Sequence, residues 1–289
     1  MKASAAFAPG HVSGLFAVHD EWANALAKGS RGAGWSLDKG ATALARPGSG
    51  QWSVDGVAHA PVTRRALDLL DPRTRELDIR VRLALPVSQG FGMSAAGSLA
   101  ACLAAADQLG LDGAAALAAT HQAEVESGTG LGDAIGSWLG GVEVRVAPGI
   151  PPHGGAVQVA AAADFLFCVL GDAIATPAVI RDDAWKRRTR AAGDGAVDRI
   201  LAAGKQAAWP AILAESHAFS LALGLMPATM RRVGERLPSG VSWGQCMLGN
   251  TLWATGPASG LADARPILAA AGSVLDAAID PHGARLVRP

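Results

Sequence analysis

The segment LPVSQGFGMSAAGSLAACLA, residues 85–104, carries no charge and runs from a glycine-rich turn into an alanine-rich stretch. A membrane span needs about 20 continuous, mostly apolar residues. Here one proline, one glutamine and two glycines interrupt the first third, so that only Met93 to Ala106 remains as uninterrupted helix-forming sequence. That remainder is too short to cross a bilayer, and the segment therefore predicts a turn followed by a buried helix.

The residues before this turn predict a strand. In ELDIRVRLALP, residues 76–86, apolar residues alternate with charged ones, which is typical of a strand with one buried face. A strand, a glycine turn and a helix can bind phosphate, because glycines let backbone N–H groups approach an anion and the helix N-terminus carries unpaired donors. Ser94 can cap this helix or offer its hydroxyl to phosphate or magnesium. A turn that only leads into a buried helix remains the structural alternative.

Two common nucleotide-binding loops match this segment poorly. The Walker A loop requires a lysine, and none lies between Arg82 and Asp107, which excludes it. The dinucleotide-binding pattern G-x-G-x-x-[GA] is matched by Gly90, Gly92 and Ala95. However, that pattern expects the strand to run directly into its first glycine, and here other residues intervene. A dinucleotide-binding oxidoreductase remains a weaker alternative.

Composition narrows the class of partner. The chain of 289 residues has 25 basic and 25 acidic side chains, and half of its residues are apolar. Because the net charge is zero, no overall field favours nucleic acid or an anionic membrane, and we expect a small-molecule ligand. The three cysteines are scattered and indicate neither a zinc site nor a disulfide framework. The start of the chain, MKASAAFAPG, makes a poor signal peptide, so we expect a cytoplasmic protein.

Proline and glycine concentrate in PGIPPHGG, residues 148–155. Such a cluster marks a loop or a boundary, and it predicts two lobes, residues 1–152 and 153–289. Strand and helix patterns occur in both parts, so the expected fold class is α+β. The second half, which is rich in alanine and tryptophan, also raises the possibility of a homodimer.

Three ordered motifs resemble those of the GHMP small-molecule kinases. PVSQGFGMSAAG is similar to the phosphate-binding motif of this superfamily, P-x-x-x-G-[LF]-[GS]-S-S-[AG], and AFAPGHVSGLFAVHD occupies the place of its first motif. HQAEVESGTGLGDAIGSWLGG resembles its acidic segment. Within the superfamily, His11 after Pro-Gly, the GSRGAG cluster and the ESGTGLGD loop are most similar to the archaeal pantoate kinases.

The resemblance implies a fold and an activity. The fold would have two lobes, an N-terminal one like ribosomal protein S5 and a ferredoxin-like C-terminal one, with ATP and acceptor between them. The activity would be ATP- and Mg²⁺-dependent phosphorylation of the terminal hydroxyl of pantoate, in coenzyme A biosynthesis. Mevalonate, homoserine or threonine kinase activity is the alternative within the same fold. A ligand-binding regulator without catalysis on the same scaffold is a further alternative.

The resemblance also implies roles for particular residues. Glu124 would join Ser94 at magnesium, and Asp133 would be the base or would orient the hydroxyl. The structural alternative makes Glu124 a solvated helix residue and Asp133 a helix cap, with Glu126 as an ordinary exposed carboxylate for comparison. The ATP phosphates would contact Pro86, Gln89, Gly90, Phe91, Gly92, Met93, Ser94, Ala95 and Ala96.

The acceptor site is predicted from the chemistry of pantoate, a small acid with a carboxylate, two hydroxyls and a dimethylated carbon. Arg145, on a strand after a Gly-Gly pair, could bind the carboxylate. His121 lies three residues before Glu124 and so on the same helix face. A structural salt bridge and a core histidine are the alternatives for these two. Further candidate substrate residues are Ser13, His11, Thr176 and Arg31.

The chain departs from the superfamily pattern at two places. The third motif is glycine-rich in many members, whereas its counterpart SWGQCMLGNTLWA, residues 242–254, has only two glycines. It can still form a strand and a loop near the phosphate loop, but we leave its contacts there unassigned. Several members also have a lysine near the first motif that polarises the attacking hydroxyl. Lys2 is the only lysine before Lys28, and this role is not assigned.

Overall fold

The computed structural model describes residues 3–172 and 183–288. In these ranges the strands are β1 (Ser4–His19), β2 (Gly29–Pro47), β3 (Trp52–Val54), β4 (Leu77–Leu83), β5 (Val142–Ala147), β6 (Gly155–Val159), β7 (Asp164–Val169), β8 (Ser242–Gln245), β9 (Thr251–Thr255), β10 (Ser273–Ala278) and β11 (Arg285–Val287). The helices are α1 (Pro61–Leu70), α2 (Met93–Leu109), α3 (Gly113–Ser127), α4 (Asp133–Leu139), α5 (Asp183–Ala202), α6 (Gly204–Ala222), α7 (Ala228–Gly234) and α8 (Ala258–Ala269).

These strands form two sheets. The larger has the order β11-β1-β2-β4-β3, with β5 paired to another part of β2 and to β6, and the smaller has the order β10-β7-β9-β8. The strand pairs are antiparallel except for β3 with β4. This arrangement confirms the predicted α+β class. It differs from the parallel, doubly wound sheet of a dinucleotide-binding fold.

Small side chains let α2 lie close to the larger sheet. Ala8 of β1 and Ala43 of β2 are fully buried, and α2 itself consists largely of alanine. The helix packs against both strands and against α1 and α3, so it is apolar on all sides. The predicted buried helix is therefore confirmed. Neither α2 nor any other helix among residues 3–172 and 183–288 is long and apolar enough to cross a membrane.

Two irregularities in the β1–β2 ladder shape the region of the site. The register shifts between Pro9 and His11 and again between Ser13 and Leu15. Irregularities of this kind bend a strand and redirect its side chains. His11 and Ser13 lie in this bent part, close to where β2 stops pairing with β4 and pairs with β5 instead.

The two sheets meet in an aromatic core. Trp35 of β2 stacks on Phe165 of β7 with ring centroids 5.2 Å apart, and it meets Trp253 of β9 edge-on at 5.4 Å. In addition, β6 and β11, which both follow residue 152, pair with strands of the larger sheet. The lobe boundary at residue 152 stays a prediction, and the larger sheet draws strands from both sides of it.

Candidate active site

A cavity lies at the N-terminus of α2, between the loop that enters this helix, the glycine loop after α3 and a turn of the smaller sheet. Its lining residues are Ser13, Phe16, Ser30, Val87, Ser88, Gly90–Ser94, Glu124, Thr129–Asp133, Met247 and Leu248. Within the described chain, the charged side chains of this lining are the carboxylates of Glu124 and Asp133. The cavity thus combines two acids and several hydroxyls with an apolar wall.

Two glycines shape the loop before α2. Gly90 has a φ of 83° and Gly92 a φ of 58°, in the left-handed region that glycine adopts most easily. A Cβ on Gly90 would lie 2.7 Å from the backbone oxygen of Cys246. Gly92 is the N-cap of α2, and no side chain caps the helix. Its first N–H groups therefore remain for a ligand, and their partial positive charge favours an anion.

Part of the predicted phosphate motif supports the loop from behind. Four of its residues do not line the cavity, namely Pro86, Gln89, Ala95 and Ala96. The Gln89 side chain is buried and donates from Nε2 to the backbone oxygen of Gly171 at 3.0 Å, and the two alanines are buried against neighbouring elements. The part of the motif that lines the cavity runs from Gly90 to Ser94.

Ser94 and Glu124 form a hydrogen-bonded pair at this helix N-terminus. Ser94 Oγ in the first turn of α2 donates to Glu124 Oε1 in the last turn of α3 at 2.6 Å. Glu124 is buried, and burial raises its pKa to about 7, with the charge of Asp133 adding to the rise and the Ser94 hydrogen bond opposing it. The structure therefore brings the predicted pair together, and Glu124 is not a solvated helix residue.

Asp133, the first residue of α4, reaches the cavity with 24 % of its side chain exposed. The helix cap is Gly132, and no side chain caps α4, so Asp133 is not the cap that the structural alternative required. Its Oδ1 accepts hydrogen bonds from His11 Nδ1 at 2.8 Å and from Ser13 Oγ at 3.3 Å. Burial acts to raise its pKa, but the hydrogen bond and charge of His11 and the charge of Arg145 hold the pKa below its usual value. Asp133 is therefore a carboxylate at neutral pH.

His11 lies beneath Asp133 and is fully buried. Besides Asp133, its ring contacts Glu143, with Nε2 2.9 Å from Glu143 Oε1. Burial alone would lower the pKa of His11, but the charges and hydrogen bonds of the two carboxylates raise it to about 9. Both ring nitrogens then carry protons at neutral pH and donate to the carboxylates. The ring does not line the cavity, and the predicted contact with substrate is replaced by a contact with Asp133.

Arg145 approaches the cavity from behind Ser13. Its Nη1 donates to Glu143 Oε1, and its Nη2 donates to Ser13 Oγ at 3.4 Å. A Cβ on Gly132 would lie 2.6 Å from Arg145 Nε, so a glycine is needed where the loop crosses the guanidinium. Arg145 is buried and is not part of the lining. The structure places its charge behind the wall in an ion pair with Glu143, which was the structural alternative to a direct contact with substrate.

Comparison of the sequence with known proteins relates the part of the chain that forms this cavity to a protein family. Residues 61–141, which include the phosphate loop and both acids, match the model described as GHMP kinases N terminal domain. The chain is 28 % identical to the protein named "Pantoate kinase" of Methanocaldococcus jannaschii over 268 residues, 91 % of this chain and 96 % of that protein. It is 34 % identical to the "Pantoate kinase" of Thermococcus kodakarensis over 165 residues, 52 % of this chain and 53 % of that protein. Residues 61–141 belong to the GHMP kinase N-terminal domain family.

Solved structures agree with this assignment. A "Phosphotransferase related to CoA biosynthesis pathway" superposes with a TM-score of 0.88 at 25 % identity, covering 99 % of both chains. A homoserine kinase from Cytophaga hutchinsonii has a TM-score of 0.71 at 16 % identity, covering 99 % of this chain and 98 % of that one, and it shares the fold. The family domain, the relatives named pantoate kinase and the phosphotransferase structure together support a small-molecule kinase.

Two further predicted substrate residues, His121 and Arg31, do not line the cavity. His121 is buried and hydrogen-bonds the backbone oxygen of Lys28 at 2.9 Å. Burial lowers its pKa, so it is a neutral core histidine. Arg31 lies on β2 and forms ion pairs with two aspartates of α5 at 2.8 and 2.7 Å. Thr176 lies outside the described residues.

The counterpart of the third motif, residues 242–254, does contact the phosphate loop. Gly249 packs so closely that a Cβ there would lie 2.1 Å from the carbonyl carbon of Gln89. The N–H of Met247 donates to the backbone oxygen of Ser13 at 3.2 Å, and Met247 and Leu248 line the cavity. The motif therefore contributes to the site with two glycines, a contact that its glycine content did not predict.

Glu143 is the residue of the buried network that the sequence analysis missed. It lies between valines on β5, two positions before Arg145, and both side chains are buried. Residues two apart on a strand point to the same face. A glutamate and an arginine at this spacing in a run of valines could have indicated a buried ion pair. Two charged side chains on one buried face must pair with each other or with a third group.

Proposed function

We propose that this GHMP kinase phosphorylates the terminal hydroxyl of pantoate, with ATP as donor, and forms 4-phosphopantoate for coenzyme A biosynthesis. One observation carries the proposal: Asp133, the Ser94–Glu124 pair and the uncapped N-terminus of α2 meet in one cavity. The two relatives named pantoate kinase and the structure of a phosphotransferase related to coenzyme A biosynthesis support pantoate as the acceptor.

The donor set fits Mg²⁺. The ion prefers hard oxygen ligands and keeps several waters, so that one or two protein ligands together with substrate phosphates are sufficient. Ser94 and Glu124 offer a hydroxyl and a carboxylate within 2.6 Å of each other at the cavity wall. Glu124 is buried beside the carboxylate of Asp133, so a bound cation would favour its charged form. Bound Mg²⁺ would neutralise charge on the phosphates of ATP.

In the proposed reaction, the terminal hydroxyl oxygen of pantoate forms a bond to the γ-phosphorus of ATP. The bond from that phosphorus to the bridging oxygen breaks, and ADP leaves. Asp133 accepts the hydroxyl proton, while the first N–H groups of α2 hold phosphate oxygens. His11 orients the Asp133 carboxylate and, with Arg145, keeps its pKa low. Asp133 is then free to accept a proton in each cycle.

The positive charge of Arg145 behind the cavity wall suits an acceptor that carries a carboxylate. The Arg145 guanidinium lies under Gly132 and next to Ser13, both of which line the cavity. We infer that its positive charge attracts the pantoate carboxylate and that Ser13 Oγ, at the wall, is the direct hydrogen-bond partner.

The decisive experiment measures ADP release with pantoate as sole acceptor, with and without Mg²⁺. We expect Mg²⁺-dependent turnover with pantoate and a kcat/KM at least about tenfold lower with mevalonate, homoserine or threonine. An Asp133→Ala variant should lose at least about 100-fold in kcat. Asp263→Ala, at an exposed position of α8, is the matched control and should behave as wild type.

Several outcomes would overturn the proposal. A higher kcat/KM with another acceptor would replace pantoate by that substrate within the same family. Binding of a nicotinamide dinucleotide without ATP turnover would favour an oxidoreductase. An Asp133→Ala variant as active as wild type would indicate that the cavity is not catalytic. Cytoplasmic location, homodimer formation and lobes divided at residue 152 stay predictions from the sequence.

A further inference from the structure

Leu248 has a backbone conformation that leucine rarely adopts. Its φ is 61°, in the left-handed region, and it occupies the third position of a four-residue turn closed by a hydrogen bond from Gly249 N–H to the backbone oxygen of Cys246 at 2.9 Å. A turn with positive φ at this position favours glycine or asparagine, because a branched side chain crowds the backbone there. A leucine at this position is therefore unfavourable for the turn itself.

The surroundings hold this turn in place on both sides. Met247, one residue before, donates its N–H to the backbone oxygen of Ser13 at 3.2 Å, and Gly249, one residue after, packs on Gln89. The Gln245 side chain also donates to the backbone oxygen of Gly249 at 3.0 Å. Strained conformations persist where the fold over-determines them, and they concentrate at sites that use the side chain. Leu248 lines the cavity and is buried, with 9 % of its surface exposed.

The chemistry of the proposed acceptor supplies a use for this side chain. The carbon that bears the two methyl groups of pantoate is bonded directly to the carbon that bears the reacting hydroxyl. When that hydroxyl lies at Asp133, both methyl groups must lie within a few ångströms of it. They require an apolar surface. On the side of the cavity that is next to the smaller sheet, the described residues Met247 and Leu248 supply such a surface.

We propose that Leu248 is a specificity-determining residue that contacts the dimethylated carbon of the acceptor. The inference rests on the proposed function, since it names the group that recognises that substrate. The strain of the turn is retained because glycine or asparagine would relieve it but would remove the apolar contact. Leu248 thereby distinguishes pantoate from acids of the same length that lack the methyl groups.

The test compares two acceptors, pantoate and 2,4-dihydroxybutanoate, which is pantoate without its two methyl groups. For wild type and for Leu248→Gly, kcat/KM is measured with each acceptor, together with the KM for ATP and the melting temperature. We expect Leu248→Gly to melt somewhat lower than wild type, because a buried leucine side chain is lost, although glycine suits the positive φ and offsets part of that loss. Its preference for pantoate over the unmethylated acid should fall by about tenfold, with the KM for ATP unchanged.

Two further variants strengthen the comparison. Leu248→Asn tolerates the turn but is polar, so it should lose the same preference even if Leu248→Gly proves flexible. Leu221→Ala removes a comparable side chain from an exposed position of α6 and should leave the preference unchanged.

The outcomes are separable. An unchanged preference in both Leu248 variants overturns the inference while leaving pantoate kinase activity intact. A raised KM for ATP with unchanged preference also overturns it, because Leu248 would then contact the nucleotide. A wild-type enzyme that turns over neither acid refutes the proposed function itself. A melting temperature well below wild type for both variants, with unchanged preference for pantoate, would show that Leu248 serves only in packing and would overturn the inference.

Discussion

At the scale of single residues, the buried network beneath Asp133 makes a prediction about pH. Glu143 is the largest of the influences that raise the pKa of His11 to about 9, against the lowering effect of burial. A raised histidine pKa contributes stability that is fully present below about pH 6.5 and is lost as the pH rises through about 9. For wild type, this contribution is on the order of 3 kcal/mol.

In Glu143→Gln, the loss of both stability and kcat should therefore begin at lower pH than in wild type. The unfolding free energy and kcat are measured from pH 6 to 10, and kcat should also fall several-fold at pH 7.5 because Asp133 is less well oriented. Glu235→Gln, at an exposed ion pair with Arg231, is the control and should keep the wild-type profile. Identical profiles for both variants would show that Glu143 does not act on His11.

Two nearby glutamates, of which one contacts Ser94, provide a variant and a matched control for testing that contact. Glu124 is buried and accepts from Ser94, whereas Glu126, two residues later, is exposed and pairs with Arg65 at 2.7 Å. We expect Glu124→Gln to lower kcat/KM by about 100-fold or more, because the neutral amide is a poor ligand for the cation. Glu126→Gln should stay within about twofold of wild type. Equal effects in steady-state kinetics would remove Glu124 from the proposed site.

The sequence allowed the local part of the site to be predicted but not the part assembled from distant residues. Ser94 and the glycines around it form one contiguous motif, and its place before a helix could be predicted from the pattern alone. His11, Asp133 and Glu143 come from β1, α4 and β5, and their meeting depends on the bend in β1 and on the pairing of β2 with both β1 and β5. No spacing along the chain encodes these pairings.

At the scale of elements, the two ends of α2 test the role of its N-terminus. Gly92 and Gly110 flank this helix with similar positive φ angles, 58° and 68°. A Cβ on Gly92 would lie 3.1 Å from the backbone oxygen of His11 and 3.2 Å from Asp133, whereas nothing lies within 4 Å of a Cβ on Gly110. The two positions therefore share a backbone cost but differ in their contacts.

We expect Gly92→Ala and Gly110→Ala each to reduce the unfolding free energy by about 1 kcal/mol, because alanine is strained at positive φ. Only Gly92→Ala should also lower kcat and raise the KM for ATP, by about tenfold or more, since the added methyl group displaces the loop or Asp133. Denaturant unfolding and steady-state kinetics on both variants separate these effects. A similar loss of activity in Gly110→Ala would attribute the defect to stability.

The strands of the N-terminal region were the elements least visible in the sequence. Residues 29–34, GSRGAG, suggest a turn, yet they form the start of β2. The reason is packing: a Cβ on Gly32 would lie 2.4 Å from the backbone oxygen of Leu15, and one on Gly34 would lie 2.6 Å from His11 Nε2. Glycine is present here to let strands and the His11 ring approach closely, a requirement that comes from tertiary structure.

At the scale of the whole molecule, the aromatic core between the two sheets predicts cooperative unfolding. Trp35 is fully buried between rings of the smaller sheet, whereas Trp22 is 41 % exposed. Removing a buried tryptophan side chain costs about 3–5 kcal/mol, since its contacts are lost and a cavity remains. If the two sheets unfold together, this loss of unfolding free energy must lower the midpoint of a single unfolding transition of the entire chain.

The urea unfolding of Trp35→Ala should therefore shift to lower denaturant concentration in one step. Far-UV circular dichroism follows both sheets, and tryptophan fluorescence follows the core between them, so the two signals should change together in wild type and in the variant. Trp22→Ala, which removes an exposed ring, should keep the wild-type midpoint. Two separate transitions, of which only one moves in Trp35→Ala, would instead show that the two sheets fold as independent units. The cavity, which is lined by residues next to both sheets, would then be incomplete whenever either unit unfolds.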